Sequence, residues 1–91
     1  MKIFKYFLAE RPDDQTVLMP MGARVLTVQD QIGSVCLWAL VNDAAKEVER
    51  VFRIVGTGHE FDDCLAYNHI GTVQQDEFVW HVFEKRTRWT P

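Results

Sequence analysis

The stretch Arg24-Val25-Leu26-Thr27-Val28-Gln29-Asp30-Gln31-Ile32-Gly33-Ser34-Val35-Cys36-Leu37-Trp38-Ala39-Leu40-Val41 decides the fold. Its first part, Arg24 to Gln31, mixes β-branched and polar residues in the manner of a half-buried strand. Strict alternation sets Arg24, Leu26, Val28 and Asp30 on one face, and Val25, Thr27, Gln29 and Gln31 on the other. Leu26 and Val28 make the first face the expected buried one. Ile32-Gly33 is a turn short enough for an antiparallel hairpin. The returning run, Val35 to Val41, is apolar on both faces, which predicts a central strand covered on both sides or covered on one side by a partner subunit.

Working outward, Lys2 to Leu8 reads as a first strand and Arg11-Pro12-Asp13-Asp14 as a turn. Thr16 to Met19 is a short strand closed by Pro20, and Gly22 marks the turn into Arg24. Beyond Val41, Asn42 to Glu47 is either a helical turn N-capped by Asp43 or a polar hairpin loop. Val48 to Val55 returns as a strand, with Phe52 and Ile54 on one face and Val51, Arg53 and Val55 on the other. Leu65 to Val73 is the next expected strand, with Leu65, Tyr67, His69, Gly71 and Val73 on one side and a bulge or close approach at Gly71. Gln74-Gln75-Asp76 turns the chain into a last strand, Glu77 to Glu84. The expectation is an all-β domain over 1–84, a small antiparallel sandwich or partly open barrel of about six to seven strands. It would carry at most one short helical turn near 43–47, and 85–91 would be a basic C-terminal tail.

Ninety-one residues suffice for one core only. A net charge of −3 argues against non-specific nucleic-acid binding, which needs a basic face. No apolar run approaches the length of a membrane-spanning helix. Met1-Lys2-Ile3-Phe4-Lys5 has charge but no apolar segment behind it, and two cysteines make no disulfide framework. A cytoplasmic, reduced setting is therefore expected. Aromatic residues make up 12% of the chain, and two strands are apolar on both faces. Burying a large apolar side chain stabilises by roughly 1.5–3 kcal/mol, so a homo-oligomer is expected to cover the surplus.

The most unusual local feature is Gly56-Thr57-Gly58-His59, at the exit of the Val48–Val55 strand. Two glycines around a hydroxyl can present successive N–H groups to an anion. Arg53 and His59 can add charge, and Trp80 a stacking surface. A plain β-turn accounts for the glycines as well. The candidate ligand-binding residues are Arg53, Thr57, Gly58, His59, Trp80 and His81. Arg53 would pair with phosphate, the turn would receive it and Trp80 would stack a base. Paired histidines also suggest a phosphodiesterase using His59 and His81 as base and acid. However, neither His59-Glu60-Phe61 nor His81-Val82-Phe83 carries the neighbouring hydroxyl that would orient a phosphate, and no catalytic residue is assigned. His59, His69 and His81 with Asp62 or Asp63 lack tight metal-ligand spacing, so no metal and no cofactor is expected. Cys64 follows two aspartates that blunt its thiol.

Several segments together resemble a family of small phage and prophage proteins. They are Met1-Lys2-Ile3-Phe4-Lys5-Tyr6, Cys36-Leu37-Trp38-Ala39-Leu40-Val41, Gly56-Thr57-Gly58-His59, Ile70-Gly71-Thr72 and Val79-Trp80-His81-Val82-Phe83-Glu84. The resemblance runs from Met1 to about Glu84 and carries no activity of its own. The phage setting it implies favours an accessory protein that counteracts host defence, a reading by analogy. Two forms are expected. One is a non-enzymatic oligomer that sequesters a small anionic ligand such as a cyclic nucleotide signal. The other is an anti-CRISPR-like inhibitor that covers a basic surface of a host protein with Glu60, Asp62, Asp63, Asp76 and Glu77.

Overall fold

A computed structural model describes all residues from Met1 to Pro91. It contains β1 (Lys2–Leu8), β2 (Gln15–Pro20), β3 (Arg24–Gln31), β4 (Ser34–Val41), β5 (Glu47–Gly56), β6 (Tyr67–Gln75) and β7 (Phe78–Lys85). One sheet has the order β1-β4-β3 and the other β2-β5-β7-β6, with every pairing antiparallel. The all-β sandwich expected from the sequence is the observed architecture, and the sheets do not close into a barrel. β4 is the centre of the three-stranded sheet, which is why its sequence is apolar throughout.

The inner faces follow from alternation along the central strands. Val35, Leu37, Ala39 and Val41 of β4 meet Phe52 and Ile54 of β5 and Val82 of β7 in one core. Leu8, Met19, Ala23, Val28 and Val73 complete it. The outer face of the three-stranded sheet is also apolar. There Cys36 is buried, and Ile3 and Phe7 remain 60% and 64% exposed.

Strict alternation fails at two places, and both are β-bulges. In β3 the register with β4 slips between Val25 and Thr27, so Leu26 is the extra residue. Val25 then pairs with Ala39 and Val28 with Leu37, which puts both on the core side and leaves Leu26 45% exposed. This corrects the expectation that Leu26 and Val28 share a buried face. In β6 the register slips between His69 and Gly71. Tyr67 and His69 therefore face outward while Gly71 and Val73 face the core, where simple alternation put them together. A Cβ on Gly71 would stand 2.3 Å from Val28 Cγ2. The missing side chain lets the two edge strands, β3 and β6, approach across the sandwich.

The link Asn42–Lys46 is neither helix nor hairpin loop, because β4 and β5 lie in different sheets. Asn42, not Asp43, organises it: its Oδ1 accepts from the Ala44 N–H at 3.1 Å and its carbonyl from Ala45 at 3.0 Å. Asp43 pairs instead with Lys2 at 2.7 Å. The one helical turn is a 3-10 turn at Cys64–Ala66, where a strand was expected to begin. The basic stretch after Glu84 is tied down. Lys85 belongs to β7, the Arg86 N–H donates to the Ala66 carbonyl at 2.9 Å, and the Arg86 side chain bonds Asn68 Oδ1 at 2.8 Å.

Alternation along Val48-x-Arg50-x-Phe52-x-Ile54 places Arg50 in the core row, and it is 1% exposed. Its guanidinium makes a two-pronged ion pair with Glu84 of β7, which is 3% exposed. Nη1 also donates to the Ala23 carbonyl at 2.7 Å, in the link that opens β3. No buried side-chain nitrogen or oxygen lacks a partner. Removing one member leaves a naked charge in the core, which costs about 3–5 kcal/mol. Glu84→Ala should therefore lower stability by that amount in urea unfolding, and the double variant Arg50→Met, Glu84→Leu by clearly less. A double variant as unstable as the sum of its singles would show that the pair has no such coupling.

The β3–β4 hairpin turns through Ile32 (φ 50°) and Gly33 (φ 83°), both left-handed as a type I′ turn requires. A β-branched residue is strained there, and Ile32 is 99% exposed, so no packing offsets the strain. Ile32→Asn should raise stability by about 1 kcal/mol, read as a higher urea midpoint with unchanged slope.

Candidate functional site

The exit of β5 is a β-turn. The His59 N–H donates to the Gly56 carbonyl at 3.0 Å and the Thr57 N–H to the Val79 carbonyl at 3.3 Å. Gly58, at φ 85°, takes the left-handed position. Of the Gly56, Thr57 and Gly58 N–H groups expected to receive an anion, that of Thr57 is thus spent on a carbonyl of the protein, and that of Gly58 makes no hydrogen bond.

The turn folds the His59 ring back over Gly56. A Cβ on Gly56 would lie 2.8 Å from His59 Nδ1 and 3.2 Å from the Trp80 ring. Glycine at 56 is therefore what allows His59 and Trp80 to meet at the end of the core. Beside them is a hollow of about 180 Å³, lined by Glu10, Arg11, Pro12, Ile54, Gly56, His59 and Trp80. A second, more open hollow of about 380 Å³ shares Gly56, His59 and Trp80 and adds Thr57, Glu77, Phe78 and Val79. Phe78 and Trp80 stack, with centroids 5.7 Å apart and planes 14° apart. The indole N–H donates to Gln75 Oε1 at 2.9 Å, which fixes the ring. Together these groups make an aromatic ledge with an imidazole beside it.

The remaining predicted residues are elsewhere. Trp80 pairs with Gly56 and His81 with Val55, so consecutive residues of β7 point to opposite faces. His81 stands on the outer face of the four-stranded sheet, with Nε2 2.8 Å from Thr57 Oγ1 and Nδ1 3.2 Å from Thr72 Oγ1. Thr72 Oγ1 in turn lies 3.0 Å from His69 Nε2. His59 and His81 are therefore not a facing pair. The hydroxyls missing beside His81 in the sequence are supplied across strands, by Thr57 and Thr72. That network is invisible to motif spacing, because it depends on strand pairing and on the β6 bulge.

Arg53 also faces outward, away from Trp80. Its Nε donates to Asp14 Oδ1 at 2.8 Å, and its guanidinium lies over the rings of Tyr67 and Phe61, at 5.4 and 5.8 Å. It is already paired, so the phosphate-binding role expected of it passes to no free guanidinium at this position. Asp14 is the hub of the cluster, accepting also from the Tyr67 hydroxyl at 2.6 Å, with Lys85 Nζ at 3.7 Å. Partial burial pushes Asp14 upward, but the Tyr67 hydroxyl and the Arg53 and Lys85 charges outweigh it and hold the carboxyl below its usual range. Burial, reinforced by the hydrogen bond to Asp14 and its charge, pushes the Tyr67 phenol up to about 12. Arg11, at the rim of the smaller hollow, is paired with Asp13, whose carboxyl this hydrogen bond draws down to about 2. No group of three or more His, Cys, Asp or Glu side chains is gathered as for a metal ion.

The chain belongs to the family described as Domain of unknown function (DUF7352), whose model matches residues 1–90. No curated protein matches the chain, and no solved structure does.

The raised phenol makes a signed prediction. Folding favours protonated Tyr67, so its contribution is complete below the unfolded value near 10 and is lost as pH rises through about 12. Stability should fall across that window, and one tyrosine should ionise near its top when followed by phenolate absorbance. Asp14→Asn should lower that ionisation. An unchanged titration in the variant would sever the proposed link between Asp14 and Tyr67.

Proposed function

We propose that this protein is a non-enzymatic binder that sequesters a small planar anionic ligand of the nucleotide class at the His59–Trp80 groove. The observation that carries the reading is the pair of hollows sharing Gly56, His59 and Trp80. A ring-sized group suits the smaller one, since about 180 Å³ is less than the roughly 300–1,000 Å³ of a site for a drug-sized ligand. Trp80 and Phe78 supply the stacking surface, and the His59 ring supplies a donor for an anionic group. The rest of the ligand would extend into the open hollow beside Thr57.

The resemblance to phage and prophage proteins makes counteracting a host defence signal the biological role of such sequestration. Self-association belongs to the same reading: the outer face of the three-stranded sheet, with Ile3, Phe7 and Leu26 exposed, is where copies would pair.

The test is to incubate the protein with cyclic and linear nucleotides, remove free ligand, denature by heat and chromatograph the supernatant. Intact nucleotide should be recovered. Loss of one stacking contact costs about 1–3 kcal/mol, so Trp80→Leu should weaken binding at least about fivefold, as should His59→Ala. Arg53→Ala should leave affinity unchanged. Recovery of no nucleotide, or of a cleaved product, would overturn the reading.

A further inference from the structure

Of the four edge strands of the sandwich, three carry a feature that discourages pairing with another chain. β3 and β6 each have a bulge, and β2 ends in Pro20. β1 has neither: it runs in unbroken register with β4 from Lys2 to Leu8. In an antiparallel pair, every second residue turns both its N–H and its C=O away from the neighbouring strand. No hydrogen bond outside the β4 ladder reaches the backbone of Lys2 to Leu8. The nearest, from the Gln15 side chain, stop at Ala9. The free edge of β1 is therefore a row of unpaired backbone groups.

Lysine side chains commonly guard such an edge, but both lysines of β1 are drawn onto their own chain. Lys2 pairs with Asp43. Lys5 crosses over β4, and its Nζ donates to Gln31 Oε1, on the last residue of β3, at 2.7 Å. We propose that β1 pairs antiparallel with β1 of a second copy of this chain, about a two-fold axis at Lys5. The two three-stranded sheets then become one sheet of six strands.

The strand's own sequence argues for a second copy as the occupant. A two-fold interface sets one patch against itself, so its pattern must read alike in both directions. Ile3-Phe4-Lys5-Tyr6-Phe7 does so. Centred on Lys5, Ile3 stands opposite the partner's Phe7 on the outer face, and Phe4 opposite the partner's Tyr6 on the inner face. Each pair occurs twice, and cross-strand pairs of aromatic and β-branched residues stabilise a sheet. Centring on Phe4 would instead set Ile3 against Lys5, and centring on Tyr6 would set Lys5 against Phe7. The one unfavourable pair is Lys5 with Lys5, and the bond to Gln31 draws each ammonium away from the axis. Exposed Ile3 and Phe7 and half-buried Phe4 and Tyr6 are the side chains this pairing covers. The inference rests on the self-association proposed above, to which it gives a contact, and not on nucleotide binding.

The experiment is sedimentation of the full chain at micromolar concentration, which should give twice the 10.6 kDa of one chain. Ile3→Lys and Phe7→Lys should each weaken the dimer at least about tenfold. Both side chains are exposed in the single chain, so both variants should fold, with an unchanged circular dichroism spectrum to verify it. Leu26→Lys alters the same outer face at its opposite edge and should leave the dimer intact. Amide hydrogen exchange followed by NMR reads the backbone pairing itself. Consecutive amides from Ile3 to Phe7 should be protected in the dimer, and only every second one in monomeric Phe7→Lys. A 10.6 kDa species alone would overturn self-association and this contact with it. A dimer whose outward β1 amides exchange freely, or one that survives Phe7→Lys undiminished, would overturn the β1 contact alone.

Discussion

The sandwich depends on a charge placed where its core should be driest. Arg50 lies in the middle of the inner row of β5, and its guanidinium has donors that must be satisfied away from water. Glu84 of β7 takes two of them and the Ala23 carbonyl another. The carboxylate partner comes from the same sheet, but the carbonyl belongs to the link that carries the chain from β2 to β3 in the other sheet. The two layers are thus joined by directional bonds as well as by apolar contact. Hydrophobic burial is indifferent to small shifts of one sheet over another. A buried, fully bonded ion pair tolerates few arrangements, and is an expensive group to leave unpaired.

The edges of the two sheets obey a second constraint. β3 and β6 are edge strands that face each other across the sandwich, and each carries one bulge. Bulges increase local twist and end regular pairing, which keeps an edge from recruiting another strand. Here they also choose which side chains face in. Val28 enters the core beside Gly71, at a separation that leaves no room for a side chain on residue 71. On the other face, the bulge in β6 turns His69 outward, into line with Thr72 and His81. One irregularity therefore shapes both the closure of the core and the histidine array.

Much of the architecture was legible in the residues. The β3–β4 hairpin, the central place of β4 and the last strand follow from apolar patterning and from Ile32-Gly33. Gly71 was readable as a bulge or close approach, and both are found there. The faces of β3 and β6 were not readable, because alternation assumes a regular register. Arg53 drew attention as a charge among apolar neighbours, yet it is only partly buried and is paired with Asp14. Arg50 is the buried arginine, and its place in the row of Val48, Phe52 and Ile54 was the available signal. Of the predicted ligand-binding residues, His59 and Trp80 line one groove, while Gly58 shapes the turn and lines neither hollow. Arg53 and His81 face the other way, and Thr57 lies between, lining the open hollow while bonding His81.

By itself, the sequence determined the class of fold, most strand positions and the sharp turn at Gly56 to His59. Those are local matters: period-two patterning, turn chemistry and the permissive backbone of glycine act over a few residues. Only the tertiary structure decided which turn residues would be spent on the protein's own carbonyls, and which histidine would meet which hydroxyl. Partners such as Arg50 and Glu84, or Thr57 and His81, lie 34 and 24 residues apart in the chain. Their meeting depends on strand order and on two one-residue shifts of register. A single slip moves a side chain to the other face of a sheet, so no local pattern could have placed them.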